Sequence, residues 1–269
     1  MIKAIVVQPP YFAGENPDRK IAEFLYKELE KATENCIIVL PEYSNAGGLS
    51  DAESQLKATS CATEMLKRTS QVAKEKKCYA LINVIENRQG KIFNSTYLFD
   101  KNGKTAFVYD KIHLPPAEID LGMEYGNGQC ICEVDGIRFG FLTCYDVYFN
   151  EQIECLAKAK PDVIILPSYQ RGEDSDILRA QTKMVAFRCN SFVLKSSYSM
   201  NDDNHGGCSM IVAPSGKILK DLGKEVGSIS EEIDVKSKHF RSAGYKKGKI
   251  RNDEFINMGL RPELFKNKY

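Results

Sequence analysis

Apolar residues in this chain gather in short runs, and their spacing switches between the periods of strands and helices. Residues 2–8 (IKAIVVQ) form an Ile- and Val-rich run, which predicts a buried strand. PPYFAGENP follows as a loop, and Asn16 before Pro17 reads as an N-cap with proline in the first helical turn. Ile21, Leu25, Leu29 and Ala32 recur at helical spacing, and residues 36–41 (CIIVLP) return to a strand, completing a β-α-β unit. Residues 55–77 predict a second helix, with Ala58, Ala62, Met65, Thr69, Val72 and Ala73 near one face. Residues 78–85 (CYALINVI) predict a third strand.

Beyond this point the pattern changes. FNSTYLFDKNGKTAFVYD holds two aromatic and β-branched runs around Asn102-Gly103, a hairpin signal. QCICEVDGIRFGFLTC predicts a second hairpin turning at Asp135-Gly136. A short helix over 151–160 stops near Pro161, VIILP (163–167) is a strand, 175–189 a helix, and SFVLKSS (191–197) a strand. Residues 208–222 predict a third hairpin around Pro214-Ser215-Gly216, and VGSISEEID closes the sheet. Hairpins require antiparallel pairing and crossovers place helices on sheet faces, so the expected class is a mixed-sheet α/β protein. The stretches FDKNGKTAFVY and VAPSGKILKDL echo each other, either as an internal repeat or as two ordinary turns. The chain divides into a domain over 1–235 and a basic extension over 236–269, expected to be irregular and to pack outside the domain or on a partner.

Charge and cysteine content narrow the function classes. Lys and Arg number 37 against 36 Asp and Glu, so there is no overall positive excess of the kind a nucleic-acid partner calls for. The 9 cysteines are odd in number, scattered and partly set in apolar runs, which points to a reducing compartment. With 3 histidines, no H-E-x-x-H and a lone C-x-C pair at Cys130 and Cys132, no zinc site is expected. The opening MIKAIVVQPP is too short for a signal-peptide core, and no run approaches the roughly 20 apolar residues of a membrane span. A cytoplasmic protein with no membrane partner is expected.

Three places share one feature, a reactive polar residue directly after a hydrophobic strand. Glu42 follows IIVLP, Lys111 follows AFVYD, and Cys144 follows FGFLT. Ligand crevices of α/β sheets lie beyond the carboxyl ends of strands. Cys144 is the strongest nucleophile of the three, and a nearby Lys111 would favour its thiolate. On attack at a carbonyl, the Lys111 ammonium and the backbone N–H of Tyr145 could stabilise the oxyanion. Glu42 could take the thiol proton, deliver it to the departing amine and activate a water. From spacing alone each residue also has an ordinary reading: a solvated glutamate, a surface lysine, an inert buried cysteine.

The motifs carrying these residues resemble those of the nitrilase, or carbon–nitrogen hydrolase, superfamily. IVLPEYSNAG is similar to the segment holding its catalytic glutamate, YDKIHL to that of its lysine, and FLTCYDVYFNE to that of its cysteine nucleophile. The resemblance implies a four-layer α-β-β-α sandwich of two mixed sheets. It also implies a homodimer or larger assembly, and hydrolysis of a small-molecule amide or N-carbamoyl C–N bond through a Cys144 thioester, without metal or cofactor. A second active-site glutamate is implied between the lysine and the cysteine; Glu124 in GMEYGNG is the best match and Glu118 the fallback. Tyr145 and Asp146 after the cysteine look more like amidases and carbamoylases than nitrilases. Tyr148 and Arg188 stand where relatives commonly have arginine and glutamate. Nitrile hydrolysis, acyl transfer to an amine and a catalytically silent scaffold are the alternative readings. Pocket candidates at strand ends are Tyr145, Tyr148, Tyr169, Gln170, Asn201 and His205, with Arg171 or Arg179 for a substrate carboxylate.

Overall fold

In the computed structural model, which describes residues 1–12 and 14–264, the N-terminal Ile/Val run forms β1 (Ile2–Gln8). It leads through α1 (Pro17–Leu29), β2 (Cys36–Val39), α2 (Ala52–Ala58) and α3 (Ala62–Lys76) to β3 (Tyr79–Arg88). Then come β4 (Lys91–Phe99), β5 (Thr105–Asp110), α4 (Pro116–Asp120), β6 (Ile131–Val134), β7 (Ile137–Phe141), α5 (Asn150–Ala159), β8 (Val163–Pro167) and α6 (Ser175–Cys189). The chain closes with β9 (Phe192–Ser196), β10 (Met210–Val212), β11 (Ile218–Asp221), β12 (Gly227–Ile233), β13 (Phe240–Ser242), β14 (Lys249–Arg251) and α7 (Asn252–Asn257).

Two six-stranded mixed sheets result, ordered β12-β1-β2-β3-β4-β5 and β11-β10-β9-β8-β7-β6. Period-2 alternation sorts the strand residues between layers. Ala4, Val6, Val39, Leu81 and Tyr109 face Phe139, Phe141, Ile165, Leu194 and Ile211 across the space between the sheets. Ile5, Val7, Ile38 and Ile82 face the other way, onto Ile21, Leu25 and Leu29 of α1 and Met65 and Val72 of α3. Full burial of each such aliphatic side chain stabilises the fold by about 2 kcal/mol. Leu156 of α5 and Leu178 and Val185 of α6 cover the far face of the second sheet. This is the expected α-β-β-α sandwich. Among the described residues, no helix is long and apolar enough to cross a membrane.

Both sheets repeat one succession. From β12 or from β6, the pairings run antiparallel, parallel, parallel, antiparallel, antiparallel. The hairpins β4–β5 and β10–β11, whose sequences echo each other, hold equivalent places in the two halves.

Three local expectations change. The helix over 55–77 is two helices joined by a 3-10 turn, Thr59–Cys61. Asn16 precedes α1 but does not cap it: its backbone is left-handed (φ 50°) and its side chain makes no capping bond. The basic extension is not irregular. The β13–β14 hairpin and α7 dock on α6, where Asn190 Nδ2 donates to Asp253 Oδ1 (2.7 Å) and Asn252 Nδ2 to Phe187 O (2.8 Å). Arg188, where relatives commonly have glutamate, pairs with Glu154 and Asn257 at the same junction.

Candidate active site

Three strands deliver their terminal residues to one place. Leu40 extends the β2 ladder by one bond to Leu81 O (2.9 Å), and Pro41, which lacks an N–H, ends it. Glu42 follows, fully buried. Lys111 follows β5, its N–H donating to Asn94 O (2.9 Å) and its side chain 1% exposed. The returning chain crosses it so closely that a Cβ on Gly126 would lie 2.0 Å from Asp110 O, which restricts this position to glycine.

Cys144 begins a 3-10 turn, Cys144–Tyr148, capped reciprocally by Thr143 and Asp146. Its φ of 48° is left-handed, a conformation that costs a non-glycine residue about 1–3 kcal/mol and persists where surrounding bonds enforce it. Asp146 supplies them. Its Oδ2 accepts from Thr143 N (2.8 Å) and Tyr109 O–H (2.6 Å), and its Oδ1 from His113 N (2.9 Å), with His113 Nδ1 also at 2.9 Å. The His113 ring stacks on Phe149 with centroids 3.8 Å apart.

Lys111 Nζ donates to Glu42 Oε1 and Glu118 Oε1, each at 2.8 Å. Asn94 Nδ2 reaches the same two oxygens at 2.8 and 3.1 Å, and Tyr43 O–H donates to Glu118 Oε1 at 2.6 Å. Asn83 holds Asn94 through Nδ2 to Oδ1 (2.7 Å) and Tyr43 through the Tyr43 N–H (2.9 Å). Glu42 Oε2 and Glu118 Oε2 have no partner among the described residues.

This environment fixes protonation. Burial alone would push the Lys111 pKa down, but Glu42 and Glu118 outweigh it and the net shift is upward, so the side chain is an ammonium. Burial also raises Glu118, an effect that Lys111 opposes and Glu42 reinforces. Burial and the Glu42 carboxylate together raise the Cys144 thiol well above its ordinary range, against Lys111 and the Tyr169 backbone N–H, which pull it down. Lys111 favours the thiolate as the sequence suggested, but burial and Glu42 outweigh it: the resting sulfur is a thiol, and its proton needs a base. Cys144 is partly exposed, unlike Glu42 and Lys111, and can meet a solute.

Glu118, the fallback, occupies the place assigned to Glu124. Pro115 and Pro116 start α4 right after the lysine segment and turn Glu118 back onto Lys111, whereas Glu124 lies beyond the end of α4, half exposed and 3.4 Å from Lys91. Tyr145 is partly exposed and packs edge-on to Tyr148 and Phe149. The exposed Tyr148 donates to Glu173 Oε1 (3.1 Å) and accepts from the buried Gln170 (3.3 Å). Tyr169 is buried against Tyr43 and Tyr198, its hydroxyl accepting from Gly48 N (2.7 Å). The exposed Arg171 lies over the Tyr169 ring, 4.5 Å from its centroid. Arg179 is tied to Asp221 (2.7 Å). Asn201 and His205 are exposed and bond to their own loop, Asn201 N to Ser199 Oγ and His205 to Asp202, not to the Lys111 cluster.

Sequence reasoning missed Tyr43, Asn83 and Asn94 and set His113 aside. The available signal was Asn83 within the apolar run CYALINVI, since a buried polar residue in a strand must find partners. Among the described residues, no group of three or more His, Cys, Asp or Glu is arranged to hold a metal ion.

Comparison with known proteins adds a family. The profile described as carbon-nitrogen hydrolase matches residues 4–238. "Hydrolase C26A3.11" of Schizosaccharomyces pombe is 27% identical over 215 residues, covering 74% of this chain and 66% of that protein. The 2-oxoglutaramate amidase of Bacillus subtilis is 26% identical over 231 residues, covering 80% of this chain and 84% of the relative. A solved carbon-nitrogen hydrolase from Helicobacter pylori G27 superposes with a TM-score of 0.77 at 17% identity, over 99% of this chain and 97% of the other.

Proposed function

The chain belongs to the carbon-nitrogen hydrolase family, and from that premise we propose that it hydrolyses a small-molecule amide or N-carbamoyl C–N bond through a thioester on Cys144. The observation that carries this is the buried Glu42–Lys111 pair at 2.8 Å, whose Glu42 carboxylate bears on the Cys144 thiol. Glu42 Oε1 is occupied by Lys111 and Asn94, which leaves Oε2 for a proton.

Glu42 takes the thiol proton as sulfur attacks the carbonyl carbon. Negative charge grows on the carbonyl oxygen, where the Lys111 ammonium and the Tyr145 backbone N–H stabilise it. The tetrahedral adduct collapses, Glu42 returns the proton to nitrogen, and ammonia or an amine leaves. Water then enters, Glu42 accepts its proton, and hydroxide attacks the thioester to release the acid and restore the thiol. Glu118 and Asn94 position Lys111 and Glu42 throughout. Tyr145, Tyr148, Tyr169 and Gln170 line the approach, with Arg171 at its rim. Similarity to 2-oxoglutaramate amidase supports amides over nitriles. Exposed Ile177 and Met184 on α6, and Met258 just past α7, suit a homodimer. Nine free cysteines suit a reducing cytoplasm.

The test is ammonia release from a panel of amides, ω-amides, N-carbamoyl amino acids, ureas and nitriles, beside a Cys144→Ala control. Release that the control abolishes is expected. Release from nitriles alone would support the nitrilase reading. Silence across the panel with an acyl-Cys144 adduct in the intact mass would favour acyl transfer, and silence without one a scaffold.

A further inference from the structure

The face of the second sheet that lies under α6 carries polar groups the chemistry above leaves idle. Register sets them in rows. Leu166 of β8 pairs with Lys195 of β9, which pairs with Met210 of β10. Ser168 and Ser197 come just past β8 and β9, and Cys208 just before β10, at the end where β7 runs on into Cys144; Ser168 N continues the ladder to Ser196 O (2.8 Å), and Cys208 Sγ turns toward the start of α6, 3.9 Å from Ser175 O.

Lys195 is 1% exposed, and its ammonium, with three donors, makes one long bond, 3.4 Å to Gly207 O. It has no ion-pair partner among the described residues. The charged and titratable groups around it are the Cys208 and Cys144 thiols, Asp221 and Glu173. Both acids are already engaged, Asp221 by Arg179 at 2.7 Å and Glu173 by the Tyr148 hydroxyl at 3.1 Å. Ser168 Oγ and Ser197 Oγ are fully buried and lack partners among the described residues, as does Gln170 Oε1. A buried cation without an ion-pair partner, in a stretch whose buried hydroxyls are also unpaired, is costly for a fold to keep. It becomes favourable when an anion completes it.

We propose that Lys195, with the Ser168 and Ser197 hydroxyls, forms an anion subsite next to Cys144 that selects amides carrying a carboxylate over uncharged amides. The subsite rests on the hydrolase reading for its substrate, but not for its chemistry. Arg171 at the rim is exposed, so its pull on an anion is screened; Lys195 acts where water is excluded. Burial lowers the Lys195 pKa to about 8, which keeps most of the group charged at neutral pH and leaves room for a bound carboxylate to raise it.

The test uses two probes of similar size, succinamate and butyramide. Full-length Cys144→Ala protein, which cannot turn them over, is titrated with each by calorimetry, with and without Lys195→Met. Loss of the charged contact should cut the succinamate-to-butyramide affinity ratio roughly 100-fold. In Cys144→Ala protein with Lys195 intact, the same ratio should fall between about pH 7 and about pH 9.5 as the ammonium is lost, a readout that does not depend on the variant folding. Absence of succinamate binding, or a ratio that neither the substitution nor the pH change moves, overturns the subsite. Ammonia release by wild-type protein is scored separately: Lys195-dependent binding without any hydrolysis sinks the hydrolase reading and upholds the subsite.

Discussion

Glu118 Oε1 lies 2.8 Å from Lys111 Nζ, the same distance that separates Lys111 from Glu42, so one buried ammonium is shared by two buried carboxylates. The pairing holds Lys111 in place and keeps it charged, which suits the oxyanion-stabilising role proposed for it. It also distinguishes two glutamates only six residues apart. Glu118→Gln should lower kcat roughly 100-fold with the fold retained, because Lys111 loses its second anchor. Glu124→Gln should stay within about twofold of wild type, since that half-exposed carboxylate pairs with a surface lysine rather than with Lys111. Steady-state ammonia release measures both, and equal losses would remove Glu118 from the site.

Burial and Glu42 keep the Cys144 sulfur protonated well above the ordinary thiol range. Inactivation by iodoacetamide should therefore keep accelerating through about pH 9 without levelling off, because only the thiolate reacts. A plateau near pH 7 would mean that Lys111 controls the sulfur after all.

His113 holds the nucleophile turn through Asp146, and that hydrogen bond, partly offset by burial, raises its pKa. The sign follows from linkage. A histidine raised in the folded state contributes stability that is full below its unfolded value of about 6.5 and is lost as pH climbs through the folded value. The stability gap between wild type and His113→Gln in urea unfolding should thus be larger at pH 6 than at pH 9. A gap that widens with pH would contradict the Asp146 assignment.

Lys195 has its pKa depressed to about 8, so stability should rise with pH between about 8 and the ordinary lysine value, where only the unfolded chain holds the proton. Lys195→Met removes that penalty and should stabilise the fold at pH 7 by up to about 3 kcal/mol, read as a higher urea midpoint. A lower midpoint would show that the ammonium helps to hold the fold together.

Much of this protein was readable in one dimension. Short-range rules placed the first three strands and the helix over 175–189, because apolar spacing, proline and turn glycines act within a few residues. They marked the strand ends that hold Glu42, Lys111 and Cys144. The echo between the β4–β5 and β10–β11 hairpins was visible too, although only the matching sheet successions give it meaning.

Tertiary structure decided what depends on contacts between distant segments. Asn94 meets Glu42 across 52 residues and Asp146 meets His113 across 33, and no local period encodes such distances. Glu118 displaced Glu124 because a five-residue helix turned it inward. The Cys144 thiol came out protonated rather than ionised because desolvation, which exists only once the sheets close over the site, outweighs a lysine that sequence spacing could see. The chain sequence determined which groups arrive at the strand ends; packing determined which of them touch and which proton each one holds.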